Sequence, residues 1–145
     1  NFNKNTDLLL YMAARSENIE VIKRTFNKKI ILIDRFTDST IAYQHFGMGV
    51  DLDLIENLNK YLLKNIKVSF TFLNLVNKKN LKERLKQRKS LNRYDKFKIS
   101  FYNKVQNGFL SLSKKQKNKY QLINSNLDID KNEKLILSKI DRLIK

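Results

Sequence analysis

The string IILIDRFTDSTIAYQ, residues 30–44, limits the folds open to this chain. It begins with Ile30, Ile31, Leu32 and Ile33, an apolar run with no polar interruption. Such a run is the pattern of a strand buried on both faces of a parallel sheet. The strand would deliver Asp34 and Arg35 at its carboxyl end. In open α/β sheets ligands occupy the crevice beyond the carboxyl ends of the strands, so this pair is placed for chemistry. Ser39, Thr40, Tyr43 and Gln44 follow, with hydroxyls, a phenol and a primary amide suited to reading a polar ring and its sugar.

The segment DRFTDSTIAYQ, residues 34–44, resembles the Asp-Arg-aromatic-x-x-Ser-[Ser/Thr]-x-Ala-Tyr-Gln signature of bacterial thymidylate kinases, which phosphorylate dTMP to dTDP with ATP. An Asp-Arg pair after a strand occurs in many unrelated folds. A match along the whole string is far more specific. A second stretch, LLLYMAAR at residues 8–15, is similar to the Leu-Leu-aromatic-x-Ala-x-Arg helix of the same family. Tyr11 and Arg15 stand one helical turn apart on one face. Alone, the pair reads as a core tyrosine and a surface arginine. Beside the signature it reads as a base-binding pair.

The resemblance implies residue roles. Arg35 grips the dTMP phosphate, and Asp34 helps organise Mg²⁺ through water, with ATP as donor. Tyr11 stacks on thymine, and Arg15 and Gln44 donate to it. Thr40 and Tyr43 shape the pocket against ribonucleotides, and Ser39 belongs to the same substrate-binding set.

Residues 78–93, KKNLKERLKQRKSLNR, are densely basic. Helical spacing puts Arg84 and Arg88 on one face, with Arg93 in a polar loop beyond. A solvated helix face is the plain reading. The functional one is a lid over about residues 84–95, because phosphoryl transfer asks the protein for positioning and positive charge. The segment resembles the family's lid, whose Asp-Arg-x-Glu is here Asn92-Arg93-Tyr94-Asp95. The transition-state arginine is left open among Arg84, Arg88 and Arg93.

Composition bounds the alternatives. The 145 residues suffice for one domain with a buried core, a thymidylate kinase-like domain over residues 1–145. No cysteine is present, which excludes disulfides and thiolate metal sites. No apolar run approaches the roughly 20 residues of a membrane span. Nothing at the start resembles a signal peptide, so cytoplasm is the expectation. A net charge of +16 could mark a polyanion partner. Its lysines occur singly or in pairs, however, without the blocks of five or more that mark basic tails. A solvated lysine-rich surface is favoured and nucleic acid is not expected.

Along the chain, Thr6 or Asp7 is expected to cap a helix running to Phe26. Gly47 and Gly49 in HFGMGVD read as a flexible connection, since a P-loop needs lysine and Ser/Thr. His45, the single histidine, reads as a partly exposed loop residue rather than a base or metal ligand. Asp51 or Asp53 opens a second helix with Ile55, Leu58, Leu62 and Leu63 inward. Residues 68–73 and 120–123 read as strands, with Asn74 where the family commonly places Asp. A long helix is expected from about Asp95 to Leu112, and a closing helix from Asp130.

Three strands alternating with helices give an α/β class. The resemblance makes it a P-loop NTPase-like parallel sheet with flanking helices, the family's first strand and G-x-x-x-x-G-K-[S/T] loop not being represented. It also implies sheet order 2-3-1-4-5, so the chain reads as a fragment with unpaired edges on the Ile30 and Val68 strands. Transfer of the ATP γ-phosphoryl to dTMP by a homodimer is the implied activity, with the isolated chain inactive. A basic nucleic-acid-binding module and a non-catalytic remnant are the alternatives.

Overall fold

The buried positions of the first helix, α1 (Lys4–Thr25), are Asp7, Leu8, Met12, Arg15, Ile19 and Ile22. Steps of three and four keep them on one helical face. In the computed structural model, which describes residues 3–26, 28–90 and 92–144, the cap is Asn3, whose side chain accepts from the Asn5 N–H at 2.8 Å. Thr6 and Asp7 therefore lie within the helix, and Asp7 faces inward.

The described residues form two compact units. The first runs up to Val68 and includes Phe101–Leu112. In it, the short helix α2 (Thr37–Thr40) passes directly into a wider π-helical turn, Ile41–Gly47. Asp51 caps α3 (Leu52–Leu63) by accepting from the Leu54 N–H at 2.8 Å. Leu8, Met12, Ile41, Val50 and Ile55 form the core, with Phe46, Leu58, Leu62 and Leu112 packed against it. Full burial of side chains of this kind contributes about 1.5–3 kcal/mol each.

The connection through HFGMGVD is tightly built. A Cβ on Gly47 would stand 2.6 Å from the Phe101 ring, and one on Gly108 would stand 2.7 Å from Phe46. Gly49 has φ 71, the left-handed geometry that glycine adopts without penalty. Its carbonyl accepts from Lys4 Nζ at 2.7 Å.

Residues 30–33, expected as a buried strand, are not one. The segment has no ladder, and Ile30, Leu32 and Ile33 are 66%, 80% and 44% exposed. A strand exists only where a neighbour takes up its N–H and C=O groups, and among the described residues none does so here. Among the described residues the expected three strands are therefore two.

Those two lie in the second unit, Ser69–Ser100 and Ser113 onward. β1 (Thr71–Leu75) and β2 (Tyr120–Asn124) pair in parallel, from Thr71 beside Tyr120 to Leu75 beside Asn124. α4 (Lys78–Lys86) follows β1 and is capped by Asn77, which accepts from the Asn80 N–H at 2.8 Å. α5 (Ile99–Lys115) begins later than expected, because Tyr94–Lys96 makes a 3₁₀ turn and Phe97 is extended. Asp128 caps α6 (Ile129–Leu143), and Lys139 Nζ lies 4.7 Å from the Phe70 ring centroid. The class is α/β with a parallel sheet.

Candidate active site

Arg15 ties three segments of the first unit together. Its Nη1 donates to Asn59 Oδ1 at 3.1 Å, and its Nη2 donates to Thr40 Oγ1 at 2.8 Å and to the Phe36 carbonyl at 3.0 Å. The guanidinium carbon also lies 5.1 Å from the Phe36 ring centroid, a cation–π contact. Three of the five N–H donors thus meet protein acceptors. Burial lowers the Arg15 pKa, and the Asp38 carboxylate on α2 partly restores it. Tyr11, one turn earlier on α1, is 42% exposed.

The π-helical turn presents the next set. The Met48 N–H closes on the Tyr43 carbonyl at 3.1 Å, five residues back. Turns of this kind recur at functional sites because they re-aim side chains that a regular helix would space differently. Tyr43 packs edge-on against Phe101 and Phe109, with ring centroids 6.0 and 6.4 Å away. Gln44 is buried, and its Nε2 donates to Asp7 Oδ2 at 3.1 Å. Thr40 is buried, whereas Ser39 is partly exposed.

Asp34 and Arg35 are exposed between residues 30–33 and α2. Arg35 has φ 62. The left-handed region costs a non-glycine residue about 1–2 kcal/mol, and such strain persists where the surroundings over-determine it. Its guanidinium carbon sits 5.1 Å from the Tyr43 ring centroid, so the charge is held on an aromatic face. His45 lies within the π-helical turn, half-buried rather than in a loop, with Nδ1 2.8 Å from the Val50 carbonyl. A carbonyl only accepts, so Nδ1 carries the proton.

The three lid candidates belong to the second unit. Arg84 Nη2 donates to the Ser125 carbonyl at 2.6 Å. Arg88 Nη1 reaches both Asp95 oxygens at 2.6 and 2.7 Å. Arg93 stacks at 5.0 Å on the Tyr94 ring and donates to its hydroxyl at 3.2 Å.

Two buried residues of this neighbourhood escape a reading of the sequence. Asn59 shares the inward stripe of α3 with Ile55, and a polar side chain at core spacing signals a buried hydrogen-bond partner. Asp7 reads as a cap because it stands near the start of α1, yet it faces Gln44. Nothing local marks it.

The family model for thymidylate kinase matches residues 1–136. The chain belongs to the thymidylate kinase family. It is 32% identical over 130 residues to the thymidylate kinase of Wolbachia pipientis subsp. Culex pipiens, covering 88% of this chain and 62% of that protein. With the thymidylate kinase of Geotalea daltonii it shares 35% identity over 133 residues, covering 86% and 62% respectively. The crystal structure of thymidylate kinase from Ehrlichia chaffeensis matches with a TM-score of 0.70 at 30% identity, covering 98% of this chain and 67% of that one. The chain spans about three fifths of the length of the curated thymidylate kinases it matches. Its fold is accordingly the P-loop NTPase-like α/β fold of thymidylate kinases. Among the described residues no helix is long and apolar enough to cross a membrane.

Proposed function

We propose that this chain forms the dTMP-binding and lid portions of a dTMP kinase that transfers the ATP γ-phosphoryl group to dTMP. A dTMP phosphate oxygen attacks the γ-phosphorus. As the new O–P bond forms, the bond to the β–γ bridging oxygen breaks and its electron pair leaves on ADP. The observation that carries the reading is the exposed Arg35 guanidinium, held over the Tyr43 ring at the start of the family signature. It offers paired N–H donors to the dTMP phosphate.

Tyr11 stacks on thymine, and Arg15 and Gln44 orient the base through their amide and guanidinium groups. Ser39, Thr40 and Tyr43 line the sugar side. Arg84, Arg88 and Arg93 close over the transferred phosphoryl and offset its charge. Among the described residues no group of three or more His, Asp or Glu forms a metal site of its own. A lone exposed carboxylate such as Asp34 fits Mg²⁺ as that ion is usually held, through water with substrate phosphates as the other ligands. When bound, Mg²⁺ neutralises phosphate charge. The protein acts as a cytoplasmic homodimer. No G-x-x-x-x-G-K-[S/T] string occurs in the chain, so by itself it lacks a cradle for ATP and is inactive.

A coupled ATP-plus-dTMP assay tests this on the chain and on the complete product of its reading frame. Turnover is expected from the complete product, lost in Arg35→Ala. A folded complete product that neither binds dTMP nor turns it over overturns the reading.

A further inference from the structure

We infer that Asn59 is a positioning residue for the phosphate end of this site, acting through Arg15 and the Phe36 carbonyl on the backbone of Arg35. The inference rests on the proposed dTMP-binding role.

Asn59 is buried and gives its Oδ1 to Arg15, and its effect on binding runs through that partner. Its Oδ1 accepts from Arg15 Nη1 at 3.1 Å, from a helix 44 residues away in sequence. The guanidinium is planar and rigid, so anchoring Nη1 sets the direction of Nη2. That second nitrogen holds the carbonyl of Phe36, the residue directly after Arg35, at 3.0 Å. Thr40 Oγ1 takes the same nitrogen at 2.8 Å, which binds the turn on both sides of Asp38. Arg35 has φ 62, a conformation an arginine leaves unless its neighbours hold it. The relay thus runs from the Asn59 oxygen to the Arg15 fork, then to the Phe36 carbonyl, and ends at the Arg35 backbone. Its output is the direction in which an exposed guanidinium points.

The test is calorimetric titration of the complete gene product with dTMP and with thymidine, which lacks the phosphate. Asn59→Leu and Asn59→Ser are expected to weaken dTMP binding about tenfold, the worth of one hydrogen bond to a charged group. Thymidine affinity should fall by less, because Arg15 serves both ligands whereas only dTMP also meets the Arg35 guanidinium. Asn59→Asp keeps an accepting oxygen and should retain wild-type affinity for both. Added to Arg35→Ala, Asn59→Leu should cost nothing further, since residues acting in one path are not additive.

Equal losses for dTMP and thymidine, or full additivity with Arg35→Ala, overturn the inference while leaving the kinase reading intact. If Asn59→Leu does not fold, Asn59→Ser decides by the same criteria. A wild-type protein that binds neither ligand overturns the proposed function, and this inference with it.

Discussion

Asp7 on α1 and Gln44 in the π-helical turn, 37 residues apart in sequence, meet through a 3.1 Å hydrogen bond in the interior of the first unit. They are 3% and 2% exposed. The Asp7 oxygen accepts, so the Gln44 amide turns its nitrogen towards Asp7. A side chain placed by resemblance at the thymine ring is thereby oriented by a residue that carries no motif.

Removing one member of this pair takes this hydrogen bond from the other, which is itself buried. Gln44→Leu is expected to destabilise the protein by about 2 kcal/mol, and Asp7→Leu by a similar amount. The double variant Asp7→Leu/Gln44→Leu should cost less than the sum of the two, because the hydrogen bond they share can be lost only once. Urea unfolding at neutral pH of the wild type and the three variants checks the cycle. Simple additivity would show that the two residues do not interact.

At position 35 the usual order of alanine over glycine should invert. Glycine adopts φ 62 without penalty, whereas alanine retains the left-handed cost. Arg35→Gly is expected to be about 1 kcal/mol more stable than Arg35→Ala, although both lose the guanidinium proposed to bind phosphate. Thermal unfolding of the two variants compares them directly, and a more stable alanine variant would show that the backbone relaxes at this position.

Gly108 sits within α5, where alanine would ordinarily gain about 1 kcal/mol of helix propensity. Its Cβ, however, would stand 2.7 Å from both Cγ and Cδ2 of Phe46 and 3.0 Å from its Cβ. Contacts with the stem of a packed ring are not relieved by a small rotation. Overpacking typically costs about 1–3 kcal/mol, so Gly108→Ala is expected to be destabilising on balance. The midpoint of urea unfolding reads the sign.

Asp95 holds the second unit's basic loop together. Its side chain is 5% exposed, and it accepts from Arg88 Nη1 on both oxygens and from the Asn92 N–H at 2.9 Å. Asp95→Ala should release Arg88 and cost about 1–3 kcal/mol of local stability. Trypsin is expected to cut faster after Arg88, Lys89 and Arg93 in the variant. An unchanged cleavage rate would show that the ion pair does not order the loop.

Local features of the sequence carried much of this architecture. Asp51 stands before an apolar stripe and caps α3, as its position implies. The apolar runs within residues 68–73 and 120–123 contain the core of the parallel pair, β1 beginning at Thr71 and ending at Leu75. Arg15 was legible as a residue of interest from its spacing to Tyr11, but its hydrogen bonds to Asn59, Thr40 and Phe36 were not. Those partners lie 21 to 44 residues away, and no period in a helix reports on them.

By itself, the sequence determined the family, through consecutive residue types in DRFTDSTIAYQ, and the helices, through the 3.6-residue spacing of apolar side chains. Only the tertiary structure decided that residues 30–33 stay outside a sheet, that Asp7 serves Gln44 rather than a helix end, and that Asn59 anchors Arg15. The physical reason is common to all three. Propensity and periodicity belong to a segment, whereas a strand's ladder and a buried polar group's satisfaction belong to pairs, and a pair exists only once the chain has brought both members together.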